Sequence, residues 1–110
     1  MGSLFRNGHY SWALFLGHLV LEKLLKALYV KTVDAKIPFT HDLTKIALKS
    51  GLLLTEEQKD LLDAVTAFNI KARYPDYKGR FYRKATKRFA ENYIEQIKDY
   101  RKWLVKKVKE

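Results

Sequence analysis

His9-Tyr10-Ser11-Trp12-Ala13-Leu14-Phe15-Leu16-Gly17-His18-Leu19-Val20-Leu21-Glu22-Lys23-Leu24-Leu25-Lys26-Ala27-Leu28-Tyr29-Val30-Lys31-Thr32 contains no proline and a single glycine. Its apolar residues fall at Tyr10, 12–16, 19–21, 24, 25 and 27–30. That distribution follows a helical period but is wider than the one-sided stripe of a surface helix. It predicts a long helix covered on most of its circumference. Trp12 to Leu21, the longest apolar stretch, is interrupted by Gly17 and His18 and ends at Glu22-Lys23, which is too short to span a bilayer. No small-x-small cleavage site follows it, so a secretory leader is not expected and the expected location is cytoplasmic, away from membranes.

Working outward, Ile37-Pro38-Phe39 ends this helix, because a residue before proline is pushed out of the helical region. Thr40 is positioned to cap a short helix from Asp42 to Ser50, and Gly51 stops it. Thr55-Glu56-Glu57-Gln58 is a capping box, and the helix it opens carries Leu61, Leu62, Val65, Phe68 and Asn69 to about Ala72. Arg73-Tyr74-Pro75-Asp76-Tyr77-Lys78-Gly79 reads as a turn-rich loop. A final helix is expected from about Phe81 to Val108, on a stripe of Ala85, Phe89, Tyr93, Ile97, Tyr100, Leu104 and Val108. With no strand alternation and short connections, the fold class is all-α: a single domain over 1–110, an antiparallel up-and-down bundle of about four helices.

At 110 residues the chain is long enough for one core. The absence of cysteine excludes disulfides, thiolate metal sites and cysteine nucleophiles. Lengths near 36 Å for the first helix and 40 Å for the last, against about 25 Å for the capping-box helix, leave the first under-covered. Trp12, Phe15, Leu16 and Leu19 are therefore candidates for an interface with a second copy of the chain.

The formal charge is +10, and 14 of the 22 basic residues lie after residue 70 with only 5 of the 12 acidic ones. Such a balance implies anionic company. Arg80, Arg83, Lys84, Lys87 and Arg88 share one face of a continuous helix, at the amino end where the macrodipole disfavours cations. With Arg73, Tyr74 and Lys78 before them and Tyr77, Phe81 and Tyr82 interleaved, they form a candidate anion- or nucleic-acid-binding surface. The plainer alternative is a solvated basic face.

Other constellations carry less. His18 and Glu22 share a helix face but lack the further ligands a metal site needs, which reads as a structural histidine. His41-Asp42 at a helix start reads as capping and packing. Ser3, Ser11 and Ser50 lie in no nucleophile elbow, and no glycine-rich phosphate loop occurs. No catalytic residue, metal or cofactor is therefore assigned.

The run from Gly8 to Tyr29 closely resembles the HEPN domain family (higher eukaryotes and prokaryotes nucleotide-binding). Thr40-His41-Asp42-Leu43 is similar to the family's His-x-Leu segment, and Ala72-Arg73-Tyr74-Pro75-Asp76 to its loop. The resemblance implies a helical bundle, a homodimer, and partnership with a minimal nucleotidyltransferase in a toxin-antitoxin-type pair, with a nucleotide or RNA as ligand. Many members are metal-independent ribonucleases with an Arg-x(4-6)-His signature. Here the windows Gly2 to Leu4, Ser11 to Ala13 and Asp34 to Lys36 contain no arginine, so the signature is absent. The resemblance thus implies a non-catalytic binding module, with a divergent ribonuclease using Arg73 with Tyr74 or His41 as the alternative. A first helix before Gly8 is expected to be short or missing, since only Ser3 to Asn7 are available for it, and residues 1–7 read as a tag or a truncated start.

Overall fold

A computed structural model of the chain describes residues 10–73 and 75–110, apart from the side chains of 73, 75–78 and 81. The expectations for residues 1–7, and those for Tyr74 and the side chains of Arg73, Tyr77, Lys78 and Phe81, lie outside the described residues. Five helices make up the described fold: α1 (Tyr10–Thr32), α2 (Leu43–Lys49), α3 (Glu56–Arg73), α4 (Pro75–Lys84) and α5 (Lys87–Lys109). No strand occurs among the described residues, and the all-α helical bundle expected from the sequence is what forms.

Helix α1 is the central element. Its Ala13, Leu14, Gly17, His18, Leu21, Glu22, Leu25 and Leu28 form one buried stripe at three- and four-residue steps. That stripe meets α2, α3 and α5, so much of the cover for α1 comes from its own chain. Leu62 and Val65 of α3, Ile46 of α2, and Ile97 and Leu104 of α5 complete a core with no solvent exposure. Each such side chain contributes about 1.5–3 kcal/mol relative to its exposed state. On the far side Trp12 stays 41% exposed, with its ring edge-on to Phe15 at 5.3 Å, while Phe15, Leu16 and Leu19 are half-buried.

Helix directions follow from cross-chain contacts. Lys31 Nζ, at the end of α1, donates to Val108 O at 2.7 Å and also to Glu110 O, so α1 and α5 run parallel. A cation there also meets the unsatisfied carbonyls of a helix end. Phe68 of α3 meets Phe89 of α5 edge-on at 5.9 Å, whereas Gln58 lies across from Gln96, which sets α3 antiparallel to α5. The long helices thus alternate up, down, up. Short α2 runs the same way as α1: the chain just before it touches His18, and Ser50 O, just after it, lies 3.2 Å from Thr32 Oγ1.

Local chemistry sets the boundaries. Thr55 Oγ1 accepts from Gln58 N at 3.1 Å while Gln58 Oε1 accepts from Thr55 N at 3.0 Å, closing the expected capping box. Gly51 has φ +86°, which a side chain would strain, and it ends α2 as expected. The cap of α2 is Asp42 rather than Thr40: Asp42 Oδ1 accepts from Lys45 N at 3.2 Å, and Thr40 Oγ1 accepts from Asp42 N at 3.1 Å. Leu43 N, another orphan donor of that helix, reaches Thr66 Oγ1 of α3 at 3.1 Å.

Two expectations are corrected here. The segment read as a loop through Gly79 is helical from Pro75 onward, because proline at the first helical position gives up only a donor that has no partner there. The single helix expected from Phe81 to Val108 is two helices. Thr86, with φ −70° and ψ 168°, turns the chain, and its Oγ1 accepts from Phe89 N at 3.3 Å to cap α5. Buried Ala85 lies at the corner between the two.

Candidate functional site

The break at Thr86 reshapes the basic cluster. Arg80, Arg83 and Lys84 are exposed on α4, and Lys87 and Arg88 are exposed at the start of α5. They do not share one continuous helix face, because the extended backbone at Thr86 changes the axis on which Lys87 and Arg88 are counted. The five instead flank a helix-to-helix corner.

That corner divides their electrostatics. Arg83 and Lys84 occupy the last turn of α4, where the macrodipole favours cations. Lys87 and Arg88 occupy the first turn of α5, which holds no acidic residue. Their backbone N–H groups, at the first two helical positions, have no carbonyl one turn back to bond. An anion placed there meets orphan donors, the positive end of the dipole and two side-chain cations. Compensation from the protein is slight: Lys87 Nζ lies 3.9 Å from Glu91 Oε1, an exposed pair, and Lys84 Nζ lies 5.7 Å over the Phe89 ring. Arg80, Arg83 and Arg88 form no ion pair among the described residues. Tyr82, 64% exposed on α4, supplies an aromatic surface beside them.

A second constellation joins α1 to the approach to α2. Fully buried His18 donates from Nε2 to His41 O at 3.0 Å, which leaves its buried Nδ1 without a partner. His41 Nδ1 donates to Glu22 Oε1 at 2.8 Å, and Lys26 Nζ donates to Glu22 Oε2 at 3.0 Å. Desolvation lowers the His18 imidazole below its ordinary value, so it is neutral at neutral pH. Burial pushes the Glu22 carboxyl up, but the hydrogen bonds from His41 and Lys26 outweigh this and hold it below the ordinary range. The His41 side chain remains 54% exposed, and its Nε2 meets no hydrogen-bond partner among the described residues.

His18 is thus the structural histidine that the sequence suggests. His41 has a different part: Asp42 does the capping, and His41 clamps the 33–42 connection onto α1. Sequence reasoning paired His41 with its neighbour and missed Glu22, nineteen positions away. The available signal was an acidic residue, Glu22, set within the apolar stripe of α1, since a buried carboxylate requires a partner. Among the described residues no group of side chains is arranged to hold a metal ion, and no helix is long and apolar enough to cross a membrane.

Compared with known proteins, residues 2–108 match the family model described as HEPN domain. No curated protein and no solved structure matches the chain.

Proposed function

Since the chain belongs to the HEPN domain family over residues 2–108, we propose that it is a nucleotide- or nucleic-acid-binding module, a homodimer serving as the partner subunit of a minimal nucleotidyltransferase in a toxin-antitoxin-type pair. The family supports a nucleotide- or RNA-related module in general. The observation that supports the binding part of this reading is the α4–α5 corner, where Lys87 and Arg88 stand in a helical first turn with no acidic residue; the dimer and the nucleotidyltransferase partnership rest on the family resemblance alone. Folding alone disfavours cations there, whereas a phosphate makes the arrangement favourable. Arg80, Arg83 and Lys84 extend the same surface, and Arg73, Tyr74 and Lys78 precede it in sequence.

Electrophoretic mobility shifts with short RNA test the binding. Neutralising Arg80, Arg83, Lys84, Lys87 and Arg88 together should abolish the shift, and an unchanged shift would overturn the reading. Copurification with a minimal nucleotidyltransferase tests the partnership, and repeated failure to associate would remove that part alone.

One observation favours the alternative, a divergent metal-independent ribonuclease. The imidazole of His41 is oriented by the Glu22 carboxylate at 2.8 Å and half-exposed, which suits an acid/base group. RNA cleavage in the presence of a chelator, lost in His41→Ala, would establish it. Absence of cleavage by the wild-type protein would end it.

A further inference from the structure

Opposite its buried face, α5 carries an exposed stripe that begins at the basic corner with Lys87, passes Glu91 and Glu95, and continues through Lys98, Lys102, Lys106 and Lys109. Steps of three and four residues keep all of them on one side of the helix. The stripe is divided by charge. Past the two carboxylates, each of its positions to the end of α5 is a lysine.

Folding does not account for those four lysines. Lys98, Lys102 and Lys106 succeed one another at four-residue intervals, where like charges repel. None of the four forms an ion pair among the described residues: Glu91 reaches back to Lys87 at 3.9 Å, and Glu110 pairs with Lys107 at 3.9 Å. The macrodipole favours cations only within the last turn, and Lys98 and Lys102 stand well before it. The last carbonyls already have a cation from elsewhere, since Lys31 Nζ of α1 donates to Val108 O at 2.7 Å and to Glu110 O.

The surface chemistry selects a nucleic-acid backbone among polyanions. Lysine is depleted where proteins bury surface against one another, and α5 has no exposed large apolar side chain to enter a lipid surface. We propose that a single RNA strand held at the α4–α5 corner continues along this stripe, with Lys98, Lys102, Lys106 and Lys109 as a second zone of phosphate contacts. This rests on the anion-binding reading of the corner and narrows its ligand from a nucleotide to an oligonucleotide. From Lys87 to Lys109 the helix rises about 33 Å, the length of about ten stacked nucleotides at roughly 3.4 Å each. Glu91 and Glu95 separate the zones, so a strand shorter than about five nucleotides engages only one of them. A longer strand engages both, and its second contact gains from the effective concentration that the first creates.

Fluorescence anisotropy with labelled oligouridylates of about four to fifteen nucleotides tests this, at about 0.15 M salt, where a Debye length near 8 Å keeps the two zones electrostatically separate. Affinity should rise by about a hundredfold from the shortest strands to those of about twelve nucleotides, more than the added registers of a homopolymer supply. The combined variant Lys98→Gln, Lys102→Gln, Lys106→Gln and Lys109→Gln should lose most of that rise while its far-UV circular dichroism stays unchanged. Lys98→Gln with Lys102→Gln, clear of the helix end, serves the same purpose if the fourfold variant loses helix. Equal binding of short and long strands, or a rise that the variants retain in full, would overturn the second zone and leave the corner reading standing. Failure of every strand to bind would overturn both. Polyglutamate binding as tightly as the long strand would assign the stripe to an acidic protein surface and overturn the RNA assignment.

Discussion

His41 and Glu22 are nineteen residues apart and hydrogen-bonded at 2.8 Å, the imidazole donating from Nδ1 to a carboxylate that Lys26 holds from the other side. This bond fixes the connection between α1 and α2 to the middle of α1. Breaking it from the carboxylate side leaves the His41 and Lys26 donors without their common acceptor. Glu22→Gln should destabilise the fold by about 1–3 kcal/mol, the scale for a buried, charge-assisted bond. Urea unfolding measures it, and an unchanged midpoint would contradict the clamp.

Acidification should weaken the same clamp in two stages. Both groups have folded values below their ordinary ones, so the unfolded state binds more protons as pH falls and stability falls with it. The His18 contribution is complete above about 6.5 and is lost as pH drops through its lower folded value. Glu22 contributes fully above about 4.5 and loses that contribution further down. Unfolding free energies at pH 7.5, 6 and 5 should decline for the wild type. In His18→Gln the decline between 6.5 and 5 should flatten.

The corner at Thr86 is set by one side-chain oxygen. Thr86→Ala should cost about 1 kcal/mol of stability. If the corner binds anions, it should also weaken RNA binding, because the turn sets the first two N–H groups of α5 beside Lys87 and Arg88. Unfolding curves and mobility shifts on the same variant read the two effects separately.

Binding at this surface should be salt-dependent. For single-stranded RNA the slope of log affinity against log salt should be about −0.7 per phosphate contacted. Lys87→Ala and Arg88→Ala should each reduce its magnitude by roughly one contact, while Lys45→Ala, exposed on α2, should leave it alone. Fluorescence anisotropy over a salt series checks this, and a flat profile for the wild type would exclude a phosphate-led interaction.

Leu16 and Leu19 are half-buried on the side of α1 that carries exposed Trp12. If a second copy covers that side, Leu16→Glu should convert dimer to monomer in light scattering. Leu53→Glu, at a side chain already 93% exposed near the start of α3, should not. Leu25→Ala, in the core, should instead cost about 2–5 kcal/mol of stability.

The helices and most of their ends were legible because their causes are local. The α1 stripe, the Thr55/Gln58 box and the Gly51 stop each depend on residues within about one helical turn, where hydrogen bonding and side-chain period act directly. Reading failed where two local signals competed. Pro75 and Gly79 suggest a turn, yet proline suits a helix start. Thr86 lies within an unbroken four-residue step from Ala85 to Phe89, so the stripe concealed its capping role.

Composition and periodicity by themselves determined an all-α chain with its excess positive charge in residues 71–110. Only the tertiary structure decided that Lys87 and Arg88 open a new helix and that His41 meets Glu22. These relations depend on the path of the chain between helices. A capping oxygen, a short connection and a buried carboxylate fix that path jointly, and no single segment contains all three.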